Sequence, residues 1–308
     1  MKLLFSLDDA RRNATSTPTR SANPANTRSA TLRSAFMAIL IAASFPLQAA
    51  ASPYLSELRL DWQRGTMTAE VEMDLVASDI RLPSGRSEAE KAMTRIAPDL
   101  VRDSVLSIVL DSYRTVDDSL DDGSVDPEAL RDFIESGKRL ATAMSSDMTR
   151  IRASFQWNLA ELASLYVRHS IPIALPEADR FVPTRAYTGI IVYVQGEYAV
   201  RGEHRPGRLA PSLFPRIYDD EMNPILSRNH VSPEALRTAG IAAFARGLDD
   251  PVIELRAGND PLRIMAYQIF GTLRTDTIIT RNDAQKILGD PANRELIRNG
   301  RIVFVLDL

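Results

Sequence analysis

Alternation of apolar and charged residues marks the most regular part of the chain. In residues 57–62 the even positions Leu58, Leu60 and Trp62 are apolar, while Glu57, Arg59 and Asp61 are charged. After Gln63-Arg64-Gly65 the two-residue period resumes, with Met67, Ala69, Val71, Met73 and Leu75 set against Thr68, Glu70, Glu72 and Asp74. One charged face at period two predicts strands covered on one side only, paired as an antiparallel hairpin. Residues 150–159 repeat the pattern: Ile151, Ala153, Phe155, Trp157 and Leu159 oppose Arg150, Arg152, Ser154, Gln156 and Asn158. This predicts a further strand running on towards Val167.

Helical spacing appears between these strands. Ser87 and Glu90 form a capping-box pair, and Ala89, Met93, Ile96, Leu100 and Val101 recur on one face, with Pro98 placed to kink or split the helix. Asp126-Pro127 is a second start signal, a cap followed by Pro at the first helical position. Leu130, Phe133, Ile134, Leu140, Ala141 and Met144 are the expected buried stripe of that helix. Residues 117–126, DDSLDDGSVD, between the two helices, are expected to be a solvated acidic loop. They lack the ligand order and terminal Glu of an EF-hand calcium loop.

Three prolines (Pro172, Pro176, Pro183) stiffen residues 171–183 into a connector. Beyond it, residues 187–194, YTGIIVYV, form an apolar run that predicts a strand buried on both faces, as does RIVFVLD at 301–307. Residues 262–273 and 275–280 are expected strands. Thr280 with Asp283 and Asp290 with Pro291 are expected helix starts, and Gly300 a stop. The sum is an α+β fold of mostly antiparallel sheets with a few packed helices. It falls into an N-terminal region, 52–170, and a C-terminal region, 184–308, which share one core or hold two.

The segment before residue 52 changes the picture of the compartment. Residues 32–51, LRSAFMAILIAASFPLQAAA, carry a basic residue, a short apolar run, Pro46 and small residues ending in Ala49 and Ala51. That is the layout of a secretory signal peptide cut between Ala51 and Ser52, and the run is too short to span a bilayer. Residues 1–31, rich in Ser, Thr, Asn, Pro and Arg, are expected to be a non-native or disordered leader. Either the start codon lies further along, near Leu32, or the targeting region is extended, or the segment is a basic cytoplasmic tail on an uncleaved anchor.

The whole chain has 37 Lys+Arg and 40 Asp+Glu. The leader and signal hold six of the former and two of the latter, leaving 31 against 38, a formal charge of −7. This balance argues against nucleic acid or anionic lipid as the main partner. No Cys occurs, which excludes disulfides, thiolate catalysis, cysteine metal sites and a lipid anchor built on a Cys at the cut. A soluble periplasmic product with no transmembrane segment after cleavage is the expectation.

Candidate chemistry is sparse. His169, His204 and His230 show no metal-site spacing, and the run Asp219-Asp220-Glu221 suits an acidic hairpin turn better than a metal site with His230. No G-x-S-x-G elbow, P-loop, H-E-x-x-H or S-x-x-K motif occurs. Trp62 and Trp157 fall on apolar strand faces and are expected in the core. No catalytic, cofactor-binding or metal residue is assigned, no cofactor is expected, and the chain is expected not to be an enzyme.

One half of the chain resembles a known family. Tyr187-Thr188-Gly189-Ile190-Ile191-Val192 is followed by Pro211-Ser212-Leu213-Phe214-Pro215-Arg216-Ile217-Tyr218-Asp219. Then come Asn282-Asp283-Ala284 and Gly300-Arg301-Ile302-Val303-Phe304-Val305. In this order residues 187–308 resemble bacterial envelope proteins of the FlgP type, several of them associated with the flagellar motor. The resemblance implies a structural or assembly role and transfers no catalytic residues. It departs from the family in lacking a lipobox Cys and in an enlarged linker, residues 197–210, whose Gly and Pro content is expected to keep it out of the core. Gly189 is expected to permit close packing, and Pro211 and Pro215 to bracket a short strand. Expected partners are other envelope or flagellar proteins, with self-association open. The alternatives are a peptidoglycan-binding or adhesion module, suggested by Asp276, Asn282, Asp283 and Arg294, and an exported hydrolase.

Overall fold

In the computed structural model, which describes residues 52–308 apart from Leu82, period-two patterning builds the first sheet as expected. The expected leader and signal peptide lie outside the described residues. Strands β1 (Tyr54–Asp61) and β2 (Thr66–Asp74) turn at Gly65, whose positive φ of 64° suits a residue without a Cβ. Helices α1 (Arg86–Leu106), α2 (Val116–Asp121) and α3 (Pro127–Glu135) precede β3 (Lys138–Met144), β4 (Arg150–Asn158) and α4 (Leu159–Ser164). The sheet order is β1-β2-β4-β3, antiparallel throughout. Met67, Ala69, Val71 and Met73 of β2 and Ile151, Ala153, Phe155 and Trp157 of β4 are buried on one face. Helix α1 covers that face with Ala89, Met93, Ala97, Val101 and Val105, and passes through Pro98 unbroken. On the outer face Glu72 is bracketed by Arg150 at 3.1 Å and Arg152 at 2.8 Å.

Four local expectations change. Helix α1 begins after Gly85 with no side-chain cap; Ser87 lies inside its first turn, and Glu90 pairs with Arg86 instead. The acidic stretch is not all loop: Thr115 and Asp118 make a reciprocal capping box that starts α2. Helix α3 ends at Glu135, so Leu140, half exposed, and Met144 belong to β3. The reason is tertiary: a Cβ on Gly137 would meet the Trp157 ring at 2.3 Å, so the chain must pass the indole there as bare backbone. Strand β4 stops at Asn158, whose side chain accepts from Ala160 N and opens α4 in place of a longer strand.

The C-terminal region contributes β5 (Ile190–Tyr193), β6 (Tyr198–Ala199), β7 (Pro206–Gly207), β8 (Ile217–Tyr218) and β9 (Pro224–Leu226). After a 3-10 turn at Arg228–His230 come α5 (Pro233–Ala239), β10 (Ala243–Ala245), α6 (Pro251–Ala257), β11 (Leu262–Met265) and β12 (Gln268–Phe270). The chain continues with β13 (Asp276–Ile278), α7 (Arg281–Leu288), α8 (Pro291–Arg298) and β14 (Ile302–Val305). The expected strand at 262–273 is thus two strands. The segment between Pro211 and Pro215 is irregular, and the strand lies just beyond it as β8. The expected caps hold: Thr280 starts α7, Asp290 starts α8, and Gly300 takes φ 61° after it.

Here the sheets differ from the first. Strands β10-β14-β5-β11 form a wholly parallel sheet, β12-β13-β8-β9 a mixed one, and β6 and β7 a small hairpin. Antiparallel pairings still predominate among the described strands, and the fold is α+β. Burial on both faces explains why β5 and β14 are continuously apolar. Ile190, Val192, Ile302 and Phe304 join the main core, whereas Ile191, Val303 and Val305 pack with Ile253 and Ala257 of α6. Gly189 lets α6 approach, since a Cβ there would lie 2.3 Å from the Ala257 Cα.

One apolar cluster runs from Met67 to Leu306, so the two regions share a core. Tyr166 packs edge-on against Phe214 at 5.9 Å, and Trp62 against Phe244 at 5.7 Å. No helix among the described residues is long and apolar enough to cross a membrane.

Candidate functional site

The two regions meet around a tight turn, residues 108–115, between α1 and α2. Leu110 N and Asp111 N both donate to Arg114 O, and Val116 N donates to Ile108 O. Leu213 N and Phe214 N donate to Val109 O and Leu110 O, so the irregular Pro211–Pro215 segment is used to hold this turn. Ser112 is fully buried, its Oγ 3.0 Å from Thr275 Oγ1.

The turn delivers two charged side chains. Asp111 Oδ1 accepts from Tyr113 N at 3.0 Å; Oδ2 accepts from Arg114 Nε at 3.1 Å and Nη2 at 2.6 Å. Arg114 Nη1 also donates to Asp122 Oδ2 at 2.9 Å. Hydrogen bonds from Ser124 and Arg114 hold the Asp122 carboxyl down to about 2. From the other region, Arg216 places Nη2 3.7 Å from Asp111 Oδ2 and donates through Nη1 to Tyr218 Oη at 3.3 Å. Arg228, at the start of the 3-10 turn, lies over the Phe214 ring at 5.0 Å. Asp111, Arg114, Phe214, Arg216, Tyr218 and Arg228 line a cavity of about 320 Å³.

Electrostatics separate these groups. Asp111 is buried but fully engaged. Arg228 makes no ion pair with the described residues. Burial, then the Arg114 charge, with Arg216 and Arg168 adding, push its guanidinium below the usual arginine range despite Asp111. Behind the cavity, Asp276 on β13 is fully buried; its Oδ1 accepts from Arg216 N at 3.1 Å, while Oδ2 has no partner. Burial pushes this carboxyl up to about 6, against the pull of Ser112, Arg216 and Thr275. At pH 7 the cavity therefore presents fixed guanidinium groups and a phenol over an aromatic wall.

Residues singled out by the sequence are mostly elsewhere. His169 contacts Val231 O at 2.8 Å, His204 is exposed, and His230 is buried with Nδ1 unpartnered. Asp219 accepts from Glu221 N and Asn223 N and so makes the β8–β9 hairpin turn. No group of three metal-binding side chains occurs among the described residues. Asp276 lies against Arg216, whereas Asp283 is taken by Thr280 and Lys286, and Arg294 by Leu288 O and Glu177. The linker 197–210 is not wholly outside the core: Val200 and Leu209 are buried, and Gly207 sits against the Arg274 side chain. Its proline and two glycines instead belong to the β6–β7 hairpin that carries those two residues inward. Asp111, Arg114 and Arg228 escaped notice in sequence. The only local signal was an acid and an arginine three residues apart around a Ser-Tyr turn.

The arrangement is that of a two-part α+β chain whose polar pocket lies on the seam between its parts. Residues 54–165 match the family model for the N-terminal domain of Treponema pallidum Tp0624, and residues 189–308 match the model for the second domain of the same protein. No curated protein matches the chain. The seam between the two matched segments is the seam that builds the pocket: Asp111 and Arg114 come from the first, Phe214, Arg216, Tyr218 and Arg228 from the second.

Proposed function

We propose that the chain is a non-catalytic, exported component of a bacterial cell envelope, acting in the periplasm in a structural or assembly role associated with the flagellar motor. The observation that carries this reading is the chemistry of the seam pocket. Its charged lining is three arginines and one carboxylate, and guanidinium groups keep their charge and suit holding a partner rather than moving a proton. The carboxylate among them, Asp111, is already bound to Arg114. The envelope and flagellar parts of the reading rest on the signal-like segment 32–51 and on the resemblance of residues 187–308 to FlgP-type proteins. Deleting the gene is expected to impair swimming or alter motor structure while leaving no enzyme activity missing. Normal swimming with normal motor images would remove the flagellar assignment.

A peptidoglycan-binding role has one observation in its favour, the guanidinium groups of Arg216 and Arg228 at the seam cavity, which suit the carboxylates of peptidoglycan stem peptides. Retention of the purified protein on isolated peptidoglycan, and its loss on Arg216→Gln, supports that role; free passage through the matrix removes it.

A further inference from the structure

We propose that the seam pocket is a binding site for a small organic oxyanion, a carboxylate or phosphate carried on a compact group. The inference deepens the binding role above and rests on it.

Charge bookkeeping around the pocket leads there. Arg114 is matched by Asp111 at 2.6 Å and Asp122 at 2.9 Å. Arg216 reaches Asp111 only at 3.7 Å, and Arg228 has no acidic partner among the described residues. The pocket thus carries surplus positive charge in a chain whose overall formal charge is −3. Partly burying an unpaired guanidinium is costly, and the cost is recovered when an anion supplies the missing partner. Arg228 is also held at the pocket wall by a cation–π contact, its Cζ 5.0 Å from the Phe214 ring centroid. Its guanidinium donates to no side chain or carbonyl among the described residues, and a guanidinium with free donors suits a two-point bond to an oxyanion.

The other walls limit the ligand's size and kind. A cavity of about 320 Å³ exceeds what a bare ion needs and falls at the small end for organic ligands. Pro224 and Phe214 supply apolar surface, while Tyr218, Ser227 and Asn229 supply hydrogen-bonding groups for the remainder of the molecule. Asp111, spent on Arg114 and Arg216, holds two of the arginines in place rather than competing for the ligand.

Calorimetric titration of the purified protein with inorganic phosphate and, separately, with N-acetylalanine tests the proposal. Saturable one-to-one binding of either probe is expected at physiological salt. Phosphate alone points to a phosphoryl ligand, and N-acetylalanine alone to a carboxylate. Arg228→Gln should weaken binding by about tenfold or more, Arg228→Lys by less, and the remote Arg294→Gln not at all. Melting curves identify any variant that fails to fold, and the Lys variant, which keeps the charge, then carries the comparison. Absence of binding for both probes, or equal binding by wild type and a folded Arg228 variant, overturns the proposal. The outcome is separable from the envelope role. A motility defect with an empty pocket ends only this inference, and ligand binding with normal motility ends only the flagellar reading.

Discussion

Ser112 and Thr275, 163 residues apart, share a buried hydrogen bond of 3.0 Å between their hydroxyl groups. The bond joins the turn that carries Asp111 and Arg114 to the strand that carries Asp276, and with the backbone bonds from Leu213 and Phe214 it holds the turn against the second region. Gly271 lies against the same serine, with φ at 97° and no room for a side chain: a Cβ would fall 2.4 Å from Ser112 Cβ.

Gly271→Ala is therefore expected to combine backbone strain with a clash and to cost about 3 kcal/mol or more of stability. Chemical denaturation measures this. A variant as stable as wild type would mean that Ser112 does not seat against Gly271 as described.

Asp276 makes stability depend on pH. Its folded-state pKa, about 6, lies above the ordinary 3.8, so the folded protein holds the proton more tightly than the unfolded chain does. The resulting stabilisation is full below about 4 and is lost as pH rises through about 6. Asp276→Asn, which cannot ionise, should flatten the decline in melting temperature between those values. An unchanged profile contradicts the assignment.

The first sheet offers a paired comparison. Val71→Asp places an unpaired carboxylate in the core and should cost on the order of 3 kcal/mol or more. Face position alone suggests that Glu72→Lys is nearly silent. However, Glu72 is bracketed by Arg150 and Arg152, so removing it sets three cations together and should cost up to about 1 kcal/mol. Equal melting temperatures for the two variants would contradict the register.

Export is checked at the amino terminus. Protein recovered from the periplasm should begin at or close to Ser52. Recovery of chains that retain Leu40 would indicate an anchor that is not cut.

Legibility followed the range of the forces involved. Met67, Val71 and Phe155 were readable because a sheet buried on one face writes its pattern every second residue. Thr280, Asp290 and Gly300 were readable because capping is satisfied within a few residues. Leu140 was misplaced because its helical spacing from Phe133, seven residues back, continues past a helix that Gly137 and Trp157 have already ended, a constraint between distant segments. The pocket is the extreme case. Arg216 stood out as part of a motif and Asp276 as an isolated acid, but Asp111, Arg114 and Arg228 are brought together by a turn and a loop with no periodicity to announce them.

Strand β14 lies between β10 and β5, in the middle of the parallel sheet, yet it comes after every other strand of that sheet in chain order. The antiparallel sheet has every one of its strands by Asn158, while β5 must wait for residues 302–305 before its central partner exists. Pairings this distant form slowly, and a waiting apolar strand is exposed to wrong partners in the meantime. The molecule carries its own reporters of that order of events. Trp157 is enclosed by the first sheet, whereas Trp62 rests on Phe244, whose ring stacks on Phe304 of the last strand at 5.9 Å. The Trp157 ring thus reports contacts complete within the first region, and the Trp62 ring reports contacts that wait for residue 304.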